Sequence, residues 1–160
     1  MTDWLIPDWP APATVKSCIT TRTGGVSVAP FDSFNLGDHV DDQPQSVAAN
    51  RLQLTAQLHI QPAWLRQVHG VTAVEAEPGH IVDADASWTA TPGIACTIMT
   101  ADCLPALFCD RAGTRVAAAH AASGAGDQRD LAIQKTHVCV LLTSRCTSRS
   151  VEGATAAVQW

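Results

Sequence analysis

The stretch MTADCLP at residues 99–105 places a thiol, a carboxylate and a proline between two short apolar segments. Residues 94–100 (IACTIMT) and 106–109 (ALFC) are each bounded by breaker residues, which is the pattern of buried strands. Turn-forming residues (DRAG) follow, and residues 114–119 (TRVAAA) predict a returning strand that ends at His120. The sequence therefore predicts an antiparallel hairpin in this part of the chain.

The predicted hairpin brings two reactive side chains together. If its turn is centred on Arg111 and Ala112, Cys103 and His120 lie opposite each other at its open end. Directly opposed residues in antiparallel strands have Cβ atoms roughly 4.5–5.5 Å apart. That spacing suits two ligands of one metal ion, and it equally suits a Cys–His catalytic pair.

Charge and hydrophobicity limit the classes of protein to which this chain can belong. It has 160 residues, of which 46% are hydrophobic and 16% charged, as in a globular protein of single-domain size. The formal net charge of -5 argues against nucleic acid or an anionic membrane as the main partner. No apolar run approaches the ~20 residues of a membrane span, and the first residues lack a signal-peptide pattern. We therefore expect a cytoplasmic protein with no nucleic-acid or membrane partner.

Polar residues in the predicted loops before the hairpin are candidates for ligand contacts. Arg22 precedes a glycine pair at residues 24–25, for which an ordinary hairpin turn is the favoured interpretation. Asn35 and His39 lie in the stretch 31–40, which is rich in turn-forming residues. A loop histidine such as His39 is more often solvated or a helix cap than a ligand.

A helix is predicted to follow this loop, with Asp42 as its N-cap residue and its end near Leu58. Arg51 lies within the predicted helix. Its side chain can extend along the surface, which is the commoner outcome, or present its guanidinium group to a carboxylate or phosphate.

The stretch WLRQVHGV at residues 64–71 alternates apolar and polar side chains, which predicts a strand. Gly70 permits a sharp exit of the chain directly after His69. A histidine in that position suits a metal ligand and a structural role about equally. An acidic loop containing Asp85 follows at residues 83–88, and its aspartates are expected to form turns.

Six motifs occur in series along the chain: TRTGGVS, FNLGDH, WLRQVHG, DADA, MTADCLPAL and VAAAHA. Their order and spacing resemble the YfiH-type laccase-domain family, which is also described as purine nucleoside phosphorylase-like and as a bacterial peptidoglycan-editing factor. The resemblance covers residues 4–121. It implies an α/β (α+β) fold of mixed β-sheets flanked by helices.

The resemblance also implies a zinc site and purine chemistry. The ligands that it implies in this sequence are His69, Cys103 and His120. Two neutral imidazoles and one thiolate leave the fourth tetrahedral position open, which is typical of catalytic zinc. The implied reactions are phosphorolysis of adenosine, inosine or methylthioadenosine, with phosphate as second substrate, and deamination of adenosine. Copper is less plausible, because a multicopper centre needs more histidine ligands than the six in this chain can supply.

Further roles are assigned as candidates around the three ligands. Arg22, Asn35 and His39 are candidate contacts for phosphate or sugar, and Asp85 is a fourth candidate substrate contact. Asp102 is a candidate catalytic residue. Either Asp85 or Asp102 could instead orient a ligand histidine or act in proton transfer.

The sequence leaves two alternatives to the zinc enzyme. In the first, the protein is a metal-free hydrolase in which His69 or His120 activates Cys103 for amide or peptide cleavage in peptidoglycan editing. In the second, the chain is a non-catalytic remnant of the family. One bound zinc that protects Cys103 from alkylation would favour the zinc enzyme over the hydrolase.

The resemblance ends after Ala121. Where the family pattern continues GWRG, this chain continues ASGAGDQRD, and residues 131–160 match nothing in the family. A shifted reading frame or a degenerate gene copy would produce such a change. We therefore expect residues 1–121 to form an incomplete domain core and residues 122–160 a divergent tail. Because the Arg of GWRG is missing, we also expect impaired activity.

Overall fold

The computed structural model of the chain describes residues 4–101, 103–121 and 137–143. These residues form one α-helix and eight β-strands. In chain order the elements are β1 (Val15–Ile19), α1 (Pro44–Leu58), β2 (Gln61–Ala63), β3 (Ala73–Glu75), β4 (Ala86–Thr89), β5 (Ile94–Thr100), β6 (Leu104–Cys109), β7 (Val116–Ala121) and β8 (His137–Thr143).

The strands form two four-stranded sheets. Sheet I has the order β1-β8-β5-β2, and sheet II has the order β3-β4-β7-β6. Each sheet is mixed, because β2 pairs with β5 and β3 pairs with β4 in parallel while the remaining pairs are antiparallel. The predicted α/β (α+β) fold with mixed sheets is therefore confirmed, and α1 is the helix that accompanies the sheets within the described ranges.

Strand β5 lies at the centre of the core and is buried on both faces. Cys96 and Ile98 pack between the two sheets, together with Val116 and other residues of β1, β2 and β7. Ala95 and Met99 point to the opposite face of sheet I, in one cluster with apolar residues of α1 and the preceding loop. This double burial explains why β5 is a continuous apolar run instead of an alternating one.

Helix α1 begins close to the predicted position, but Asp42 is not its N-cap residue. Gln43 occupies that position, and Pro44 takes the first turn, where its missing N–H costs nothing. The Asp42 carboxylate instead accepts hydrogen bonds from the Ser27 hydroxyl at 2.7 Å, the Asn35 amide at 3.0 Å and the Gln43 N–H at 2.7 Å. Burial raises the pKa of Asp42, but these hydrogen bonds outweigh it and lower the pKa overall. The predicted cap is wrong because this carboxylate is committed to the loop.

The glycine pair does not form the predicted hairpin turn, since no strand lies between β1 and α1. A Cβ atom at Gly25 would overlap the main chain of Ser33 and Phe34 and the side chain of Asn50. Glycine is required here because another part of the same chain passes directly over it.

The hairpin of β6 and β7 is present with a register two residues away from the prediction. Pro105 lies opposite His120, where Cys103 was expected. The shift arises in the turn, because the Asp110 carboxylate accepts hydrogen bonds from the Thr114 hydroxyl and main-chain N–H. These bonds stabilise a four-residue loop, 111–114, in place of the two-residue turn that was predicted.

The stretch 64–71 is not the strand that its alternating pattern predicts. Strand β2 ends at Ala63, and the chain then makes only an isolated bridge between Arg66 and Asp83. The Arg66 main chain bonds to Val82 and Ala84, so this segment leaves sheet I and packs beside the acidic loop. Tertiary contacts therefore override the local alternation.

Candidate metal centre

Three potential metal ligands from distant parts of the chain meet at one point. One ligand atom each from His69, Cys103 and His120 lies within 4.8 Å of the others. The two imidazole rings meet edge to face, with centroids 4.8 Å apart and an interplanar angle of 78°. His69 is exposed, whereas the His120 side chain is only 5% exposed. The cluster therefore has a buried end and an open end.

The local structure explains how each ligand reaches the cluster. His120 lies in β7, His69 follows β2 in a loop, and Cys103 comes directly before β6. Although Pro105 is the residue opposite His120, Cys103 lies two positions away, on the diagonal that long side chains can still span. The predicted proximity of Cys103 and His120 thus survives the change of register.

Asp85 is the buried centre of this arrangement, with 3% of its side chain exposed. Its carboxylate accepts hydrogen bonds from three consecutive main-chain N–H groups, those of Val68 at 3.3 Å, His69 at 2.9 Å and Gly70 at 2.6 Å. Its Oδ1 atom also lies 3.5 Å from Nδ1 of His120. One carboxylate therefore contacts the segments of two candidate ligands.

The main chain at His69 adopts a conformation that needs such support. Its φ of 58° lies in the left-handed region, which costs a non-glycine residue roughly 1–2 kcal/mol. Three successive N–H groups that converge on an anion form a concave cradle, and the charged bonds to Asp85 offset the strain. The orientation of His69 is therefore set by Asp85 as well as by its own backbone.

The three candidate ligands open onto a cavity of about 540 Å³. His39, Trp64 and Gln67 also contribute to its walls. The volume lies within the range of small-molecule sites in proteins. The cluster is thus placed where a bound small molecule could contact it.

The other sequence-predicted site residues lie in different places. His39 lines the cavity, whereas Arg22, Asn35 and Asp85 do not belong to its walls. The Arg22 guanidinium group is bonded to Asp32, through the carbonyl at 2.8 Å and the carboxylate at 3.0 Å.

Asn35 is 5% exposed, and its amide is bonded to Gly37 and Asp42. Asp102 lies outside the described residues. The substrate contacts assigned to Arg22, Asn35, His39 and Asp85, and the catalytic role of Asp102, stay predictions.

Arg51 presents its guanidinium group to a carboxylate of this chain. Nη2 lies 3.3 Å from the Asp38 carboxylate, and the guanidinium group stacks 4.2 Å from the centre of the Trp64 ring. Burial lowers the pKa of Arg51, and the neighbouring Asp38 partly offsets that effect. Asp38 and Trp64 both line the cavity, so Arg51 contacts two of its wall residues through an ion pair and a cation–π interaction. The sequence analysis gave extension along the surface as the commoner outcome for Arg51 and left contact with a carboxylate as the alternative.

Two other cysteines are unsuited to ligand or nucleophile roles. Burial raises the pKa of Cys18 and of Cys96 to about 11 in each case. Metal binding and nucleophilic attack both require the thiolate form. Cys18 and Cys96 are therefore packing residues, in contrast to Cys103, which lines the cavity.

The chain is similar in sequence to a family of known proteins. Residues 16–128 match the family described as multi-copper polyphenol oxidoreductase laccase. A protein of Pseudomonas aeruginosa named purine nucleoside phosphorylase is 70% identical over 121 residues, which are 76% of this chain and 50% of that relative. Purine nucleoside phosphorylase YfiH of Escherichia coli is 53% identical over 125 residues, 76% of this chain and 51% of the relative.

A solved structure agrees with these sequence matches. The Neisseria meningitidis protein NMB0706 superposes with a TM-score of 0.72 at 54% identity, over 74% of this chain and 50% of that one. This chain belongs to the multi-copper polyphenol oxidoreductase laccase family, and its resemblance to YfiH-type proteins is confirmed. The relatives are named as enzymes that act on purine nucleosides.

The chain spans about half the length of the curated relatives it matches. The predicted boundary between a core at 1–121 and a tail at 122–160 stays a prediction, and most of that tail lies outside the described residues. Strand β8, inside the predicted tail, pairs with both β1 and β5. In the part of the chain that the structure describes, we find no helix able to cross a membrane.

Proposed function

We propose that His69, Cys103 and His120 hold one zinc ion and that the chain carries the metal-binding part of a purine nucleoside phosphorylase. The observation that carries this proposal is the meeting of three ligand atoms within 4.8 Å on the wall of a cavity of about 540 Å³. The names of the relatives support the substrate class.

The donor set fits zinc better than a multicopper centre. Imidazole nitrogens and thiolates are both zinc ligands, and three protein ligands leave the fourth position open, as at catalytic zinc sites. Among the described residues, only these three form a group able to hold a metal ion, whereas a multicopper centre needs several more histidines. A bound zinc ion would supply Lewis-acid chemistry to the cavity.

Within this proposal, Asp85 orients both histidines. A carboxylate beside Nδ1 of a histidine fixes its tautomer and leaves Nε2 for a metal, and the 3.5 Å approach of Asp85 to His120 suits that task. The same carboxylate holds the backbone of His69 through its N–H group. This is the ligand-orienting role that the sequence offered for Asp85 as an alternative to substrate contact.

The proposed reaction is phosphorolysis of adenosine, inosine or methylthioadenosine. Phosphate forms a bond to C1′ of the ribose while the bond from C1′ to the purine nitrogen breaks, so the base leaves with that electron pair. Trp64, which contacts Arg51, offers an aromatic wall to a purine, and His39 is a candidate phosphate or sugar contact. Deamination of adenosine is proposed as a second activity, in which water replaces the amino group at C6.

Metal analysis of the purified chain tests the proposed site. We expect about one zinc per chain and a sharp loss of zinc in Cys103→Ser. Cys109→Ser is the matched control, because Cys109 is also a partly buried thiol of the β6 region but does not line the cavity. Unchanged zinc content in Cys103→Ser would overturn the assignment. A metal-free chain with freely alkylated Cys103 would instead favour the Cys–His hydrolase.

A second experiment tests the expected impairment of activity. Adenosine and inosine turnover, with and without phosphate, is compared between this chain and a version whose residues from Ala122 onward are replaced by a family-like continuation beginning GWRG. We expect this chain to be slower by on the order of 10²–10³, the usual cost of one lost electrostatic contact to a transition state. Equal turnover would contradict that expectation.

A further inference from the structure

The side chain of Gln67 joins two separate segments of the candidate site. Its Nε2 donates a hydrogen bond to the Met99 carbonyl at 2.9 Å, and its Oε1 accepts one from the Met99 N–H at 2.7 Å. A single planar amide group thus pairs with both polar groups of one residue, as a peptide unit of a neighbouring strand would.

The sheet explains why Met99 needs such a partner. Strand β2 pairs with β5 only as far as Ala63 opposite Cys96, while β5 continues to Thr100. On its other side, β5 pairs with β8 in antiparallel fashion, and alternate residues of β5 direct their main-chain groups away from β8. Met99 is one of these residues, and its main-chain groups point to the side where β2 has ended. Met99 is 6% exposed, and a buried main-chain group left without a partner is destabilising. Gln67 therefore completes the edge of sheet I.

The position of this bond relates it to the candidate ligands. Gln67 precedes His69 by two residues, and Met99 precedes Cys103 by four. Asp85 connects the segments that carry His69 and His120. In the same way, Gln67 connects the segment that carries His69 to the strand that leads to Cys103.

We propose that Gln67 is a positioning residue that fixes the separation of Cys103 from His69 and thereby sets the metal affinity of the site. This inference rests on the proposed zinc site. Gln67 lines the cavity but acts through the main chain of Met99, so its substitution moves a ligand without removing one.

The test compares Gln67→Met with wild type. Methionine keeps the length of the side chain and removes both hydrogen bonds, so packing is largely preserved. Zinc affinity is measured by competition with a chromophoric chelator, and the absorption spectrum of the cobalt(II)-loaded protein reports the ligand geometry. We expect zinc binding about 10- to 100-fold weaker and an altered thiolate-to-cobalt band.

Gln53→Ala is the matched control. The Gln53 amide also donates to a main-chain carbonyl, that of Gly24 at 2.8 Å, but lies outside the cavity walls. It should leave zinc affinity and the cobalt spectrum unchanged. Should Gln67→Met fail to fold, Gln67→Glu, which keeps the acceptor for the Met99 N–H and loses the donor, serves in its place with the same expected change in the cobalt band.

The possible outcomes separate the two proposals. Absence of zinc binding in wild type overturns the zinc site itself. Tight binding in wild type with the same affinity and cobalt spectrum in the Gln67 variant overturns only the positioning role. An equal loss in Gln53→Ala would also overturn it, since the effect would then be general destabilisation.

Discussion

Asp85 and Asn50 are both buried polar side chains around which a loop is organised. Asn50 is fully buried, and its amide donates to the Ser27 hydroxyl and to the carbonyls of Ser33 and Asn35, at 2.8–3.2 Å. Its Oδ1 accepts the N–H of Val26 at 2.9 Å. Asp85, by comparison, is an anion that accepts three N–H groups and lies beside His120.

The two regions differ in which parts of the protein the buried side chain holds in place. The four hydrogen bonds of the Asn50 side chain all join it to groups of the loop at 26–35, so this network serves the fold. Asp85, in contrast, bonds to the main chain around His69 and lies beside the side chain of His120. Both histidines line the cavity. The same device, one side chain satisfying several main-chain groups, thus stabilises a loop in one region and orients candidate ligands in the other.

The largest expected effect is on stability, in Asn50→Ala. Removing the amide takes away the partner of the Val26 N–H and of the Asn35 carbonyl, so we expect a loss of about 3 kcal/mol in the free energy of unfolding. Urea denaturation of the metal-free protein measures it. Gln45→Ala, an exposed position of the same helix, should change stability by less than about 0.5 kcal/mol. Equal stability of Asn50→Ala and Gln45→Ala would contradict the structural role of the Asn50 side chain.

A smaller effect, on metal affinity, is expected in Asp85→Asn. The amide keeps the shape of the carboxylate but loses its charge and one acceptor, so zinc binding should weaken about 10- to 100-fold. Chelator competition measures this change. Asp83→Asn is the control two residues away, because Asp83 is exposed and pairs with Arg66 at the surface. Equal zinc affinity in the two variants would mean that Asp85 serves only the fold, as Asn50 does.

The smallest expected effect is a pH dependence in the Asn50 region. The pKa of Asp42 is lowered, so its contribution to stability is present above its unfolded value of about 3.9 and is lost as the pH falls through the folded pKa. Asp42→Asn should therefore be less stable than wild type at pH 6, and this difference should be smaller at pH 3. Urea denaturation at both pH values measures the difference, and an identical loss at both would refute the assignment.

Local patterns predicted the elements whose burial is reflected directly in their composition. The apolar run of β5, the hairpin of β6 and β7, and the extent of α1 were all anticipated closely. The stretch 64–71 was wrongly predicted as a strand, because the alternation of a loop that packs on one side is indistinguishable from that of a half-buried strand. The hairpin register was missed by two residues because the side chain of Asp110 sets the length of the turn.

The candidate ligands of the site could be predicted from the sequence, whereas the residues that hold the site in place could not. Histidine and cysteine carry their chemistry wherever they lie, so His69, Cys103 and His120 could be named from their motifs and the family resemblance. Gln67 and Arg51 could not be placed in the same way. Their partners, Met99 at 32 residues and Asp38 at 13 residues along the chain, are reached only after the sheets and helix have packed.

The sequence by itself determined the family, the mixed-sheet class and the side chains able to bind a metal, because composition and motif order are local properties of the chain. The tertiary structure alone decided which polar groups support the fold and which face the cavity. Arg22 and Asn35 are candidate substrate contacts in sequence, and the structure shows that their side chains make hydrogen bonds within the loop between β1 and α1. Buried polar groups must find partners, and whether the available partner is the protein or a ligand depends on packing between distant segments.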